Sequence, residues 1–531
     1  MTEKMLHPIA PHTVRAMLAD GSELAVVDVR EELIFSRGHL LHARSVPLSR
    51  LELNFARLIP RHDTRIVLCD EADGLAERAA DVLADAGYTN LFALAGGVAA
   101  WAEAGLELFS GVNVPSKAFG EMVEHACATP SISADELQAM MHAGKNLVVL
   151  DSRPFDEYRR VSIPTGINVP GAELVLRVRD AAPSPDTLVV VNCAGRTRSI
   201  IGAQSLINAG VPNKVVALRN GTMGWTLAGH QCESGQHRRV PDVSSATLRW
   251  ARWAADQLAR RFGVTRIDRG TVETIRADKT RTLYVFDVRN PEEYEAGHFP
   301  GALSAPGGQL VQATDQYVGT LGGRIVLSDE LEARALMTAS WLRQMGWKDL
   351  FLLPESGSET GSPAPNILGS PPRAELRIEA AALADLMKRD GATVVDLSLS
   401  RAYRKAHIPG AWFAIRSRLA AALKRIPLPG TLVLTSEDGI IAGLAAPEAV
   451  ALTRAPVRYL QGGNAAWRSA GHSLTADDIR MADEPVDMWL KPYERGNDTS
   501  AAMREYLAWE TDLLPRIARD GSAGFALGSA G

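Results

Sequence analysis

The sequence predicts an α/β protein built from four repeated units, each a parallel sheet flanked by helices. An apolar strand that ends on an aspartate recurs at Asp28, Asp151, Asp287 and Asp396. A second valine-rich strand ends 39 to 42 residues later, at Cys69, Cys193, Ser328 and Thr435. A turn that combines glycines with a tryptophan follows at 96–101, 221–225 and 462–467. Because the strands alternate with amphipathic helices, each unit is expected to cover both faces of its sheet with helices.

The first unit, residues 6–110, ends its second strand on Cys69, which begins the loop CDEADG at 69–74. This loop holds three carboxylates and no arginine. Nearby negative charge disfavours a thiolate and repels an anionic substrate. Unit 1 is therefore expected to be inactive, with Cys69 as a leftover thiol in a structural domain.

The second unit, residues 130–235, contains the stretch LVVVNCAGRTRS at 188–199. This pattern predicts a buried strand, a tight loop and the start of a helix, with Cys193 where the strand ends. Unpaired N–H groups at a helix N-terminus favour an anion, and Arg196 and Arg198 add two positive charges. The loop is therefore expected to stabilise a thiolate and to hold a charged group on its sulfur. The alternative is an inert structural cysteine, for which two arginines and a glycine would be unusual neighbours.

The third unit, residues 268–360, and the fourth, residues 374–475, have an alcohol at the cysteine position. Neither the loop at Ser328 nor the loop at Thr435 contains a histidine that would act as a base for the alcohol. The third unit also lacks the glycine–tryptophan turn. Both units are therefore expected to be inactive.

The segment at 243–262 predicts an amphipathic helix that links the two halves of the chain. It is expected to begin at Ser244 or Ser245, because serine is a favoured N-terminal cap. It is also expected to bury a stripe of large apolar residues, namely Leu248, Trp250, Trp253 and Leu258.

Three other segments lie outside the units. Residues 111–130 form a mixed linker, and residues 355–373, rich in glycine, serine and proline, indicate an exposed linker. The tail at 478–531 contains many large apolar residues and is expected to dock in part on the body. Its end, residues 521–531, is expected to be disordered.

The composition disfavours several classes of protein. With 531 residues, a net charge of −5 and a pI near 6.2, the chain is not expected to bind nucleic acid or an anionic membrane. No apolar run reaches the ~18 residues of a membrane span, and the N-terminal residues do not resemble a secretory signal. The four cysteines match no zinc pattern, so no metal is expected. A cysteine-poor chain of this kind is expected to be cytoplasmic, where a free thiol persists.

The unit 2 loop, taken with NGTMGW at 220–225, resembles the rhodanese (sulfurtransferase) superfamily. In that family such a cysteine accepts a sulfane sulfur as a persulfide, cradled by the loop amides. The resemblance implies a tandem protein of four rhodanese-like domains in which Cys193 is catalytic. It implies that the rest of the loop binds the substrate, namely Ala194, Gly195, Arg196, Thr197 and Arg198. Asp151 and Arg153 resemble the family's paired residues beneath the loop and are expected to support its structure.

The length of the loop favours sulfur chemistry over phosphate chemistry. Related phosphatases of this fold place one more residue between the cysteine and the arginine. Here Arg198 closes a loop of six residues, and Ser199 stands in the next position.

The expected function is that of a thiosulfate sulfurtransferase. Cys193 would take sulfur from thiosulfate or a similar donor and pass it to cyanide or a thiol, without a metal or organic cofactor. Another protein is a further candidate acceptor. The alternative is a non-catalytic sulfur carrier or scaffold whose silent units bind partners, and such a protein would load once and stop. Cys232 is a candidate for resolving the persulfide, although nothing in the sequence places it near Cys193.

Overall fold

The computed structural model describes residues 6–240, 242–496 and 498–528. Within these residues the chain forms four parallel sheets flanked by helices, which confirms the predicted α/β fold. In every unit the strand that ends on the aspartate pairs with the strand that leads to the cysteine position. The carboxyl ends of these two strands therefore lie side by side, at the edge where parallel α/β sheets place their binding sites.

Unit 1 shows the arrangement that the other units repeat. Its strands are β1 (Leu6–Ile9), β2 (Leu24–Asp28), β3 (Ala43–Ser45), β4 (Arg65–Cys69) and β5 (Leu91–Leu94). Its helices are α1 (Pro11–Ala19), α2 (Glu32–Phe35), α3 (Leu51–Leu58), α4 (Leu75–Asp85) and α5 (Gly97–Glu103), with a 3-10 helix at Leu48–Arg50. The strand order is β1-β5-β4-β2-β3. The central strands β2 and β4 are apolar almost throughout because helices cover the sheet.

Unit 2 follows a connecting helix, α6 (Val114–Cys127). Its strands are β6 (Ser131–Ile132), β7 (Leu147–Asp151), β8 (Ile167–Asn168), β9 (Leu188–Asn192) and β10 (Val215–Leu218), in the order β6-β10-β9-β7-β8. Its helices are α7 (Ala134–His142), α8 (Phe155–Arg160), α9 (Leu174–Ala181), α10 (Thr197–Asn208) and α11 (Gly221–Leu227), with a 3-10 helix at Gly171–Glu173.

Unit 3 follows the long helix α12 (Ser245–Phe262). Its strands are β11 (Thr265–Arg266), β12 (Leu283–Asp287), β13 (Leu303–Ser304), β14 (Arg324–Ser328) and β15 (Leu350–Leu353), in the order β11-β15-β14-β12-β13. Its helices are α13 (Arg269–Ala277), α14 (Pro291–Ala296), α15 (Gly307–Gln312) and α16 (Ala333–Gln344), with a 3-10 helix at Thr314–Gln316.

Unit 4 and the tail complete the fold. The strands of unit 4 are β16 (Arg377–Ile378), β17 (Ala392–Asp396), β18 (Trp412–Phe413), β19 (Thr431–Thr435) and β20 (Val457–Leu460), and the tail adds β21 (Arg480–Met481) beside β18. Its helices are α17 (Ala380–Met387), α18 (Ser400–Lys405), α19 (Leu419–Ala422), α20 (Ile440–Leu452) and α21 (Gly463–Ser469), with 3-10 helices at Ala374–Leu376 and Arg416–Arg418. The tail then forms a 3-10 helix at Pro492–Glu494, followed by α22 (Thr499–Thr511) and α23 (Leu513–Asp520).

The units pack on one another, and units 1 and 3 meet at a backbone bridge between Leu24 and Leu321. Units 2 and 3 share one hydrophobic core, and α12 packs there against α9 and α16. Their backbones meet at Gly171 and Gly308, where a β-carbon on Gly308 would lie 3.0 Å from the Gly171 Cα. Units 1 and 4 are joined by a buried ion pair in which Arg416 donates to both oxygens of Glu52, at 2.8 and 2.7 Å.

The structure corrects one expectation about α12. Ser244 caps the helix by accepting the N–H of Thr247 at 3.2 Å, but Trp253 is 59% exposed rather than buried. The buried stripe consists mainly of small residues, namely Ala251, Ala254, Ala255, Leu258 and Ala259. Small side chains let α12 approach its neighbours closely, and this leaves the large indole of Trp253 on the outer face.

Two further expectations fail outside the units. Most of the expected linker 111–130 is the helix α6, whose residues are largely buried. Residues 521–528 pack on the body, where Phe525 contacts the core and Ala526 donates its N–H to the Gln344 carbonyl at 2.8 Å. Residues 529–531, also expected to be disordered, lie outside the described residues. No helix in the described part of the chain has both the length and the apolar character needed to cross a bilayer.

Candidate active site

Cys193 lies at the junction that the repeat pattern predicts. Asp151 and Asn192 are register partners at the ends of β7 and β9, so Cys193 is the first residue beyond the sheet. The chain then turns through three residues and enters α10 at Thr197. Cys193 is 2% exposed, and its thiol donates to Ser199 Oγ at 3.5 Å.

The N–H groups of residues 194–198 have no acceptor within the described ranges of the chain. Thr222 and Met223, at the start of α11, donate to the carbonyls of Cys193 and Ala194 at 2.8 and 3.0 Å. A trans peptide points its N–H opposite to its C=O, so the following amides point away from α11. Among the described residues, no acceptor bonds the N–H groups of residues 194–198. Such a run of free donors at a helix N-terminus is suited to an anion.

In units 1 and 3, an aspartate of the corresponding loop accepts backbone N–H groups of that loop and of the helix that follows it. Asp70 accepts the N–H groups of Ala72 and Ala76 at 2.9 and 3.0 Å. In unit 3, the Asp329 carboxylate accepts the N–H groups of three loop and helix residues at 2.9 to 3.2 Å, namely Leu331, Arg334 and Ala335. The strand register corrects the sequence alignment of these loops. Cys69 and Ser328 pair with Asp28 and Asp287 as Asn192 pairs with Asp151, so Asp70 and Asp329 occupy the position of Cys193. Unit 2 has a thiol where these units have a carboxylate, and its loop amides have no acceptor among the described residues.

Asp151 and Arg153 form an ion pair at the carboxyl end of β7, beside Asn192. Arg153 donates to Asp151 through Nε at 2.9 Å and Nη2 at 2.7 Å, and Asn192 donates to the same carboxylate at 2.9 Å. Burial alone would lower the pKa of Arg153, but the charge of Asp151 raises it above its usual value. The same ion pair recurs as Asp28–Arg30 and Asp287–Arg289 in units without the reactive motif, which favours a structural role.

The two loop arginines both have carboxylate partners. Arg196 turns toward α6 and donates to both oxygens of Glu121, at 2.6 and 2.7 Å. Arg198 donates to Glu157 at 2.8 Å and to Gln309 of unit 3 at 3.0 Å. Burial alone would lower the pKa of Arg198, but the charges of Glu157 and Cys193 raise it. Arg198 is therefore close enough to Cys193 to interact with a thiolate, whereas the side chain of Arg196 is committed elsewhere.

Sequence reasoning missed the residues that come to the loop from distant segments. Lys117 and Glu121 of α6 and Tyr506 and Glu510 of α22 all lie beside it. The large apolar residues of the tail indicated docking. No local pattern indicated that the docked helix would reach unit 2, because these contacts span up to 313 residues.

The other cysteines have different surroundings. Burial, followed by the charge of Asp28, raises the pKa of Cys69 well above its usual value. Cys232 packs beside Thr226 with its sulfur 3.7 Å from the hydroxyl, and burial raises its pKa. No hydrogen bond joins Cys232 to Cys193 in the described part of the chain. Cys127 is exposed at the end of α6.

Comparison with known proteins agrees with this geometry. The rhodanese-like domain model matches residues 10–104, 133–228, 271–359 and 379–470. The crystal structure of thiosulfate sulfurtransferase from Pseudomonas aeruginosa is 47% identical, covers 98% of this chain and 99% of its own, and superimposes with a TM-score of 0.95. An uncharacterized protein of Synechocystis sp. is 36% identical over 107 residues, which are 20% of this chain. The chain spans 58% of the length of that curated relative. Four matches to one model, on four sheets of one topology, show that the chain belongs to the rhodanese-like domain family.

Proposed function

We propose that the protein is a sulfurtransferase that carries sulfane sulfur on Cys193. The observation that carries this proposal is the set of N–H groups at residues 194–198, which lie next to the thiol and have no acceptor among the residues that the structure describes. Units 1 and 3 fill the equivalent amides with an aspartate, and units 3 and 4 have no thiol. Unit 2 therefore combines a nucleophile with an open anion site.

The reaction is a double displacement. The Cys193 thiolate attacks the outer sulfur of thiosulfate, a new S–S bond forms, and sulfite leaves with the electron pair of the old S–S bond. Cyanide or a thiolate then attacks the outer sulfur of the persulfide, and the Cys193 thiolate is released. The covalent intermediate implies ping-pong kinetics. A protein thiol is a further possible acceptor.

The loop stabilises negative charge at each stage. The N–H groups of Ala194, Gly195, Arg196 and Thr197 are donors for the persulfide anion and for the departing sulfite. Arg198 adds a positive charge near the sulfur, while Asp151 and Arg153 fix the two strand ends. Thiosulfate is favoured as the donor because the 47% identical Pseudomonas aeruginosa protein carries the name thiosulfate sulfurtransferase.

One observation favours the alternative of a sulfur carrier. Cys193 is almost completely buried, and an enclosed persulfide would be protected from solvent and small reductants. A carrier would react once with thiosulfate and would not turn over with cyanide.

The test compares wild type, Cys193→Ser and Cys69→Ser. Steady formation of thiocyanate by wild type and by Cys69→Ser, and none by Cys193→Ser, would support the proposal. After thiosulfate alone, mass spectrometry should find an addition of about 32 Da on the Cys193 peptide. Turnover in Cys193→Ser would refute the proposal, whereas a single loading without turnover would favour the carrier.

A further inference from the structure

The tail helix α22 covers part of the Cys193 loop. A β-carbon on Gly195 would lie 3.2 Å from Glu510 Oε2 and 3.5 Å from the Tyr506 ring. Ala194 packs in an apolar cluster with Leu507. Residues from the far end of the chain therefore lie directly over the loop whose amides are open.

Glu510 is a buried carboxylate at this contact. It is 0% exposed, and its Oε1 lies 3.1 Å from Lys117 Nζ. The same oxygen accepts the Tyr506 hydroxyl at 3.1 Å and the Thr197 hydroxyl at 3.4 Å. Its Oε2 has no hydrogen-bond partner in the described part of the chain. Burial alone would lower the pKa of Lys117, but Glu510 raises it, so the two form a charged pair.

An unsatisfied buried oxygen costs stability, so anchoring α22 does not by itself explain the carboxylate. Its position has an electrostatic consequence for any substrate of the loop. The cations around the loop are already paired, Arg196 with Glu121, Arg198 with Glu157 and Lys117 with Glu510 itself. An anion held by the loop amides would therefore lie beside the Glu510 carboxylate, whose Oε2 is 3.2 Å from the β-carbon position of Gly195.

We infer that Glu510 determines the charge selectivity of the Cys193 loop. It disfavours doubly charged donors such as thiosulfate relative to singly charged or neutral sulfane-sulfur compounds, such as thiosulfonates and organic persulfides. This inference rests on the proposed function of the loop. Its chemical basis is repulsion between like charges in a buried site, where solvent screens them little.

The test uses two alkylating agents of similar shape and different charge on the full chain. Iodoacetamide is neutral and iodoacetate carries one negative charge, and modification is followed on the Cys193 peptide by mass spectrometry. In Glu510→Gln the ratio of the iodoacetate rate to the iodoacetamide rate should rise about tenfold. Glu510→Asp keeps the charge and should retain the wild-type ratio.

Glu505→Gln is the matched control, since Glu505 lies on the same helix with a side chain that is 79% exposed. Its ratio should equal that of wild type. If both agents react faster in Glu510→Gln by the same factor, the carboxylate only anchors α22 and the inference is wrong. An unchanged ratio would also overturn it. Because alkylation needs no sulfur transfer, this result is independent of the proposed enzyme activity. If turnover is found, Glu510→Gln should also lower the KM for thiosulfate more than the KM for benzenethiosulfonate.

Discussion

Gly221→Ala should strongly reduce the rate of sulfur transfer by Cys193, although Gly221 carries no reacting group. Gly221 has φ of +54°, and a β-carbon there would lie 2.4 Å from the Cys193 carbonyl oxygen and 2.8 Å from that of Gly195. An ordinary contact needs at least 3.4 Å, so the loop and α11 must part by about 1 Å. A shift of that size is expected to reduce kcat/KM for sulfur transfer by about 100-fold, because the loop amides would be displaced relative to Cys193.

The chain offers two controls that separate geometry from strain. Gly229→Ala places an alanine at φ of +82°, where its β-carbon would have no neighbouring atom within 4 Å. This variant therefore has the strain of the left-handed backbone without a steric clash. Gly97→Ala repeats the clash in unit 1, where the β-carbon would lie 2.6 Å from the Asp70 carbonyl oxygen. Both should lower the thermal midpoint and keep activity within about threefold of wild type, since neither touches the unit 2 loop. Activity in Gly221→Ala equal to that of Gly229→Ala would refute the link between loop geometry and transfer.

Three further outcomes are expected. Arg198→Ala should raise the KM for thiosulfate about tenfold and slow the modification of Cys193 by iodoacetamide at neutral pH by about the same factor. Unchanged values would show that Arg198 only forms the ion pair with Glu157. Cys69→Ser should leave kcat/KM within about twofold, because the acidic surroundings of Cys69 oppose a thiolate, and a tenfold loss would contradict this. Burial raises the pKa of Glu31, at the contact of units 1 and 4, from 4.5 to about 7. Between these values the Glu31 carboxyl is protonated in the folded protein and ionised in the unfolded chain. Its contribution to the free energy of unfolding is therefore fully present below pH 4.5 and is lost as the pH rises through about 7. The thermal midpoint of wild type should fall by several degrees over that pH range, and the midpoint of Glu31→Gln should fall less. Equal pH profiles of the two proteins would refute the raised pKa of Glu31.

Local patterns were sufficient to predict the repeated units and the position of Cys193. Strand-ending aspartates, valine runs and turn glycines are short-range signals, and each recurs in the same order. The family resemblance, rather than a local pattern, implied that Asp151 lies beneath the loop. In the structure Asp151 and Asn192 are register partners at the ends of adjacent parallel strands.

The partners of the loop were beyond local reasoning. Arg196 pairs with Glu121, which lies 75 residues earlier in the chain, and the Thr197 hydroxyl donates to Glu510, which lies 313 residues later. Spacing in the sequence indicates that two arginines lie near a thiol, but not that carboxylates from α6 and α8 neutralise them. The helix α6 was missed for a related reason: the segment lacks a strong local pattern, and much of it is buried by neighbours from other units.

The four loops show why one unit alone can hold a reactive site here. In unit 3, Asp329 satisfies the loop amides, and Arg334 pairs with Asp329 and with Glu173 of unit 2. A loop whose donors are satisfied internally can be buried against a neighbour without leaving unpaired polar groups. The silent loop of unit 3 has thereby become part of the contact with unit 2. The unit 2 loop has Cys193 at the position of Asp329, and its amides have no acceptor in the described part of the chain. A thiol in place of that carboxylate therefore leaves free the donors that an anion on Cys193 would use, at a cost in stability that the loop of unit 3 avoids.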